Sequence, residues 1–182
     1  NKLFTTGGKF AELEPEDFAS LSTKQISKLT SIELVTELQI KGMTTEQTKA
    51  ITTNQMASLT TDQINWMTSS NLQALTTKQI SQLTAASSGH MDEMTTTQIS
   101  LLTVSQIKAL SGLQVQKLDG AQIGSLTGSQ VANLSIDAIN YIDIDKIQEV
   151  DFAHLTTKQV VKLSVGTQGQ IANLSTDQVS VM

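Results

Sequence analysis

The side chains best suited to chemistry are few in this chain, and their spacing does not assemble them. His90 and His154 are the only imidazoles, and cysteine is absent, so neither a thiolate metal site nor a disulfide can form. Asp137, Asp143, Asp145, Glu149 and Asp151 form an acidic stretch that invites a calcium reading. A hard cation needs roughly six to eight oxygens converging on one point. Here Asp143 and Asp151 fall at helix-cap positions, while Asp137 and Asp145 fall in first turns, where the helix dipole favours carboxylates. Both histidines read as surface residues. Serines are plentiful, but no nucleophile, base and orienting group can be grouped around these histidines. The expectation is a non-catalytic chain with no cofactor and no metal.

What the sequence does contain is a restart every eight residues. Leu75-Thr76-Thr77-Lys78-Gln79-Ile80-Ser81-Gln82 is a clean copy, and Leu83 opens the next. With Thr76 as N-cap, Gln79 takes the third helical position and completes an S/T-x-x-Q capping box. Leu75 and Ile80 then have the spacing of a hydrophobic staple. Thr60 with Gln63 and Thr156 with Gln159 repeat the arrangement. Asp119, Asp143 and Asp151 replace the hydroxyl with a carboxylate, which caps at least as well. Pro15, the one proline, falls at a first helical position, where its missing N–H costs nothing.

These spacings predict an all-α superhelical solenoid of very short capped helices, one per octapeptide. Helices this short cannot persist alone in water, so stacked repeats must share their Leu and Ile/Val rows as a core. One continuous helix is excluded, because apolar spacings of five and three would wind the stripe around it by about 80° per octad. The alternative is a parallel β-solenoid, which Thr, Ile and Val suit. The octad lacks period-two alternation, however, and a capping box has no role in a strand.

Composition narrows the class of partner. Net charge is −5 without a basic cluster, so neither nucleic acid nor an anionic membrane surface is expected. No apolar run is long enough to span a bilayer. Aromatics make up 3 % of residues, so the core must be aliphatic. Trp66 and Tyr141 both hold the last octad position, which Lys28, Gln82 and Asn133 share. They are either contact residues or covers for the edge of a thin core.

The domain reading is an off-pattern opening segment, residues 1–12, and a single octad array, residues 13–182. The array is expected to be a segment of a longer one, since Met182 leads a repeat that does not follow. The phase breaks at 29–43, 83–94, 150–155 and 163–174. In the first break, Thr30 and Glu33 suggest a capping box that opens one helix of about three turns, ending at Gly42. In the second, Ser87–Met91 has the composition of a fusion linker, yet the phase resumes after it and a native loop is expected.

Tandem L-[ST]-[TS]-x-Q-[IV]-x-x repeats resemble tracts in very large bacterial surface and secreted exoproteins, loosely grouped as adhesin-like or haem-utilisation-like. The resemblance covers most of Leu13 to Met182. It implies a structural spacer at the cell surface or outside the cell, whose partners are neighbouring repeats of the same longer chain. The alternative is a module that binds a protein or glycan at a host or cell surface. Two separated histidines give a haem role no support.

Overall fold

A computed structural model describes residues 9–84, 89–142 and 153–165. The described chain is helical, mostly in segments of one to two turns, and the described residues contain no strand. The β alternative is thereby disfavoured.

Thr77–Ile80 shows why the segments start and stop. Thr76 is extended (φ −71°, ψ 158°), and its Oγ1 accepts from the Gln79 amide. Gln79 Oε1 accepts from the Thr76 amide at 2.7 Å. The same reciprocal box opens Thr45–Ala50, Thr53–Ser58, Thr61–Asn65, Thr96–Leu101 and Val104–Ala109. Asp119 caps Gly120–Gly124 through its carboxylate. Asp143 and Asp151 lie outside the described residues, as do the other acidic residues of that stretch except Asp137. Pro15 opens Pro15–Ala19 at its first turn. Most of these helices then end because the next cap requires extended backbone just ahead of it; Thr157–Val165, nine residues long, runs on through Leu163. Ile51, the residue after Thr45–Ala50, is already extended (φ −59°, ψ 123°), and Thr52 caps the following helix.

Burial follows the octad. In the Leu75 repeat, Leu75, Gln79 and Ile80 are buried, whereas Thr76, Thr77 and Lys78 are exposed. Burying each Leu or Ile contributes roughly 1.5–3 kcal/mol, which helices of one turn require from their neighbours.

The described chain divides into two compact halves, residues 1–84 and 85–182. In the first, Thr45–Ala50 packs on Ser69–Ala74, and Thr53–Ser58 on Thr77–Ile80. In the second, Thr96–Leu101 packs on Gly120–Gly124, Val104–Ala109 on Gly128–Val131, and Gly112–Gln116 on Ile136–Ile139. Each of these partners is the helix three repeats further along the chain.

The structure corrects the reading of two breaks. No single helix fills 30–42: a 3-10 turn, Ile32–Leu34, is followed by a separate helix, Glu37–Gly42. The cause is Val35-Thr36-Glu37-Leu38-Gln39-Ile40, itself a full capping box with Val35 as its leading apolar residue. The irregular part is therefore only Leu29–Leu34, a six-residue repeat whose Ile32 is buried as the octad isoleucines are.

In the second break, His90 is not a surface residue but is 3 % exposed, and Met91 is fully buried. Counting back eight from Met94 places Ala86 at the leading position, His90 at the glutamine position and Met91 at the isoleucine position. Gly89–Met91 thus belongs to the packed array; residues 85–88 lie outside the described residues.

Candidate functional site

The most built polar feature of the molecule is the glutamine row. Capping uses only one end of each amide. The other end, Nε2, reaches the last turn of the helix four repeats earlier and the residue that leads the repeat three earlier. Gln79 Nε2 donates to the carbonyls of Thr48 and Ile51, both at 2.8 Å. Gln55 donates to Ile26 and Leu29 at 2.9 and 2.8 Å, and Gln63 to Ile32 and Val35 at the same distances. In the second half, Gln122 takes Met91 and Met94, and Gln159 takes Val131 and Leu134. These acceptors are carbonyls of a helix's last turn and of its C-cap, which have no intrahelical donor. One side chain thus caps the start of its own helix and the end of another. Gln79 is 2 % exposed, and no ionisable group is needed to hold it.

The connection counts repeats, not residues. Gln79 and Ile51 are 28 residues apart, as are Gln63 and Val35. Where the six-residue Leu29 repeat intervenes, Gln47 reaches Leu21 across 26. Gln159 reaches Leu134 across 25, shorter than 28 by the same three residues by which the step from Val150 to Leu155 falls short of an octad. Asn71 stands in for glutamine in the Met67 repeat. Its shorter side chain donates to Met43 O at 3.0 Å and forms no reciprocal box with Thr68.

The capping residues read from the sequence are therefore paired as follows: Thr76 with Gln79, Thr60 with Gln63, and Thr156 with Gln159. Reading the row as a cap alone missed its second bond. One signal for it was present, since the box position holds glutamine in most octads and glutamate only at Glu33 of the six-residue repeat, although either completes a capping box.

Trp66 is half-buried at the end of Thr61–Asn65 in the first half. Tyr141 belongs to the second half and is 43 % exposed. Its ring lies on Gly112: a Cβ there would fall on Cδ2 and Cε2 and come within 2.8 Å of Cγ. His154 is exposed and lies in the same way on Gly128. Asp137 sits in the first turn of Ile136–Ile139, where its charge suits the dipole.

A groove of about 280 Å³ opens beside the six-residue repeat, lined by Ser27, Lys28, Thr30, Asn54 and Ser58 among others. Among the described residues, no three His, Asp or Glu groups gather as a metal would require, and no helix is long and apolar enough to cross a membrane. The chain matches no protein-family model and no curated protein.

Proposed function

We propose that the chain is a non-catalytic structural spacer, an α-solenoid with three repeats per superhelical turn. The observation that carries this reading is the glutamine bridge, repeated in both halves, from a repeat to the leading carbonyl of the third before it and the last turn of the fourth. Contacts confined to neighbouring turns let an array lengthen without redesign, because every added repeat brings its own cap, core pair and bridge. Most exposed octad positions are polar, with Thr, Ser and Lys prominent, which keeps a long surface solvated. Resemblance of the octad to tracts in large bacterial exoproteins supports a place at the cell surface or outside the cell, in an adhesin-like protein.

Small-angle scattering tests the spacer. A compact chain of this length has a radius of gyration of about 16 Å. The spacer should exceed that value with a rod-like profile and a helical circular dichroism spectrum. A radius at the compact value would overturn it. Surface location has its own test: antibodies against this segment should label intact cells of the producing organism, and labelling only after lysis would overturn that part.

A further inference from the structure

The last residue of an octad is followed by the apolar leader of the next repeat and then, in most repeats, by its capping hydroxyl. Asparagine at the last position therefore reads Asn-x-Ser/Thr with a leader that is not proline, the acceptor motif for N-linked glycans. Asn133-Leu134-Ser135 is such a case, and Asn173-Leu174-Ser175 repeats it in the same phase outside the described residues. The other described asparagines, Asn54, Asn65, Asn71 and Asn140, have Met, Met, Gln and Ile two residues later.

Asn133 is placed to carry a bulky group. It follows Ala132, the C-cap of Gly128–Val131, in the turn between two helices, and it is half-exposed. One hydrogen of its Nδ2 donates to Ser129 O at 2.7 Å in an exposed bond, and the other has no partner among the described residues. Replacing one hydrogen by a sugar leaves one N–H for Ser129 O. The same octad position accommodates large side chains elsewhere, the half-buried Trp66 and the exposed Tyr141.

The rest of the motif is used by the fold. Leu134 is 4 % exposed, and its carbonyl accepts from Gln159 Nε2 at 3.0 Å. Ser135 Oγ accepts from the Ala138 amide at 3.0 Å as the cap of Ile136–Ile139. A transferase must take the three residues together and read the hydroxyl of the third. Folding thus hides the motif while leaving the acceptor nitrogen at the surface.

We propose that Asn133 is the acceptor of an N-linked glycan, added before its repeat folds and carried at the surface afterwards. In the transfer, Asn133 Nδ2 bonds to the anomeric carbon of a sugar activated as a diphosphate. The bond from that carbon to the diphosphate breaks, the diphosphate leaves with the electron pair, and Nδ2 gives up one proton to the transferase. Donor and transferase belong to the export route, so the glycan rests on the cell-surface reading.

Two preparations of the full 182-residue chain test it, one secreted by a host that N-glycosylates and one from a cytoplasm that lacks the transferase. The secreted chain should lose mass on treatment with a glycan-releasing amidase, and peptide mapping should find the residue 133 amide hydrolysed to a carboxylate. Asn133→Gln should abolish this. So should Ser135→Asp, which keeps a helix cap and so separates loss of the motif from loss of the fold; Ser135→Thr should retain it. Purified oligosaccharyltransferase with a lipid-linked oligosaccharide should modify the unglycosylated chain several-fold faster on dilution from urea than after folding. An unmodified Asn133 in the secreted chain would overturn the proposal, as would modification that survives Ser135→Asp. Equal rates for folded and unfolded chain would overturn the order of events. Failure of the surface reading is separable: antibodies that label only lysed producing cells would sink it even if transfer succeeded, whereas labelled intact cells with an unmodified Asn133 would sink the glycan alone.

Discussion

Gln79 and Ile51 are 28 residues apart in the chain, and 2.8 Å separates the amide nitrogen of one from the carbonyl oxygen of the other. The same amide donates to Thr48 O, while its oxygen accepts from the Thr76 amide. A side chain that seems to start a helix therefore also finishes one. Both roles lie in a buried site, where an unmade hydrogen bond costs the full desolvation of the group left behind.

Glutamine and glutamate are interchangeable in a capping box, so exchanging them isolates the bridge. Gln79→Glu keeps the acceptor for the Thr76 amide but removes the donor and sets a carboxylate against two carbonyls. It should cost about 2–4 kcal/mol at neutral pH. Capping alone would put Gln79→Ala at about 1 kcal/mol or less; leaving two buried carbonyls bare raises it to about 2–4 kcal/mol. Chemical denaturation measures both, and a neutral Gln79→Glu would sink the bridge. The carboxyl of this variant should titrate above its unfolded value of about 4.3, because burial and the carbonyls disfavour the charge. The protonated form is thus the better tolerated one. The penalty should shrink as pH falls through the folded pKa, provided the comparison with wild type is made at each pH.

Asn71 offers the reverse experiment. It makes one bond, to Met43 O, where glutamine elsewhere makes two and closes a box. Asn71→Gln adds the methylene that supplies the missing reach. Stability should rise by about 0.5–1.5 kcal/mol, the worth of one further hydrogen bond. A melting temperature lowered by the substitution would mean that the backbone here cannot admit the longer side chain.

How much of this was legible depends on distance along the chain. The cap and staple were readable because Thr76, Gln79, Leu75 and Ile80 are neighbours within one octad. The destination of Gln79 Nε2 was not, because it depends on which helix stacks where. Thr30–Gly42 was misread because its apolar residues, including Leu34 and Leu38, continue a helical pattern; both prove exposed, at 48 % and 64 %. Val35 leading a further box was the competing signal. His90 was misread because the leading position of its repeat is Ala86, too small to announce an octad.

His90 consequently has a predicted substitute. It occupies the glutamine position of its repeat and is buried, so His90→Gln should leave the melting temperature within a few degrees of wild type. His90→Lys should lower stability by about 2 kcal/mol or more, since a buried ammonium must be desolvated. Equal tolerance of both would show that the position is not held as the other members of the row are.

Core and surface positions of one octad should separate cleanly. Ile80 is fully buried, and Ile80→Ala should cost about 2–5 kcal/mol through lost transfer and a residual cavity. Thr77 is exposed and is not the cap, so Thr77→Ala should fall within about 0.5 kcal/mol of zero. Thermal denaturation of the pair reads both, and comparable losses would contradict the placement of the core.

Since the bridges count repeats, removing a whole repeat should be tolerated better than removing part of one. Deleting Ile51–Ser58 makes Leu29 the leading residue three repeats before the Leu59 repeat. Gln63 would then take Ile26 O and Leu29 O, the two carbonyls that Gln55 now holds. Deleting only residues 51–54 instead removes a leader and its cap and leaves Gln55 without a helix to start. The first variant should retain wild-type helicity per residue and a cooperative melt; the second should lose both across the first half. Tolerance of the six-residue Leu29 repeat, whose Ile32 O and Val35 O still receive Gln63, shows that length within a repeat can vary when its leader and core residue remain. Similar collapse of both deletion variants in circular dichroism would mean that register is set by residue number and that the bridge merely follows it.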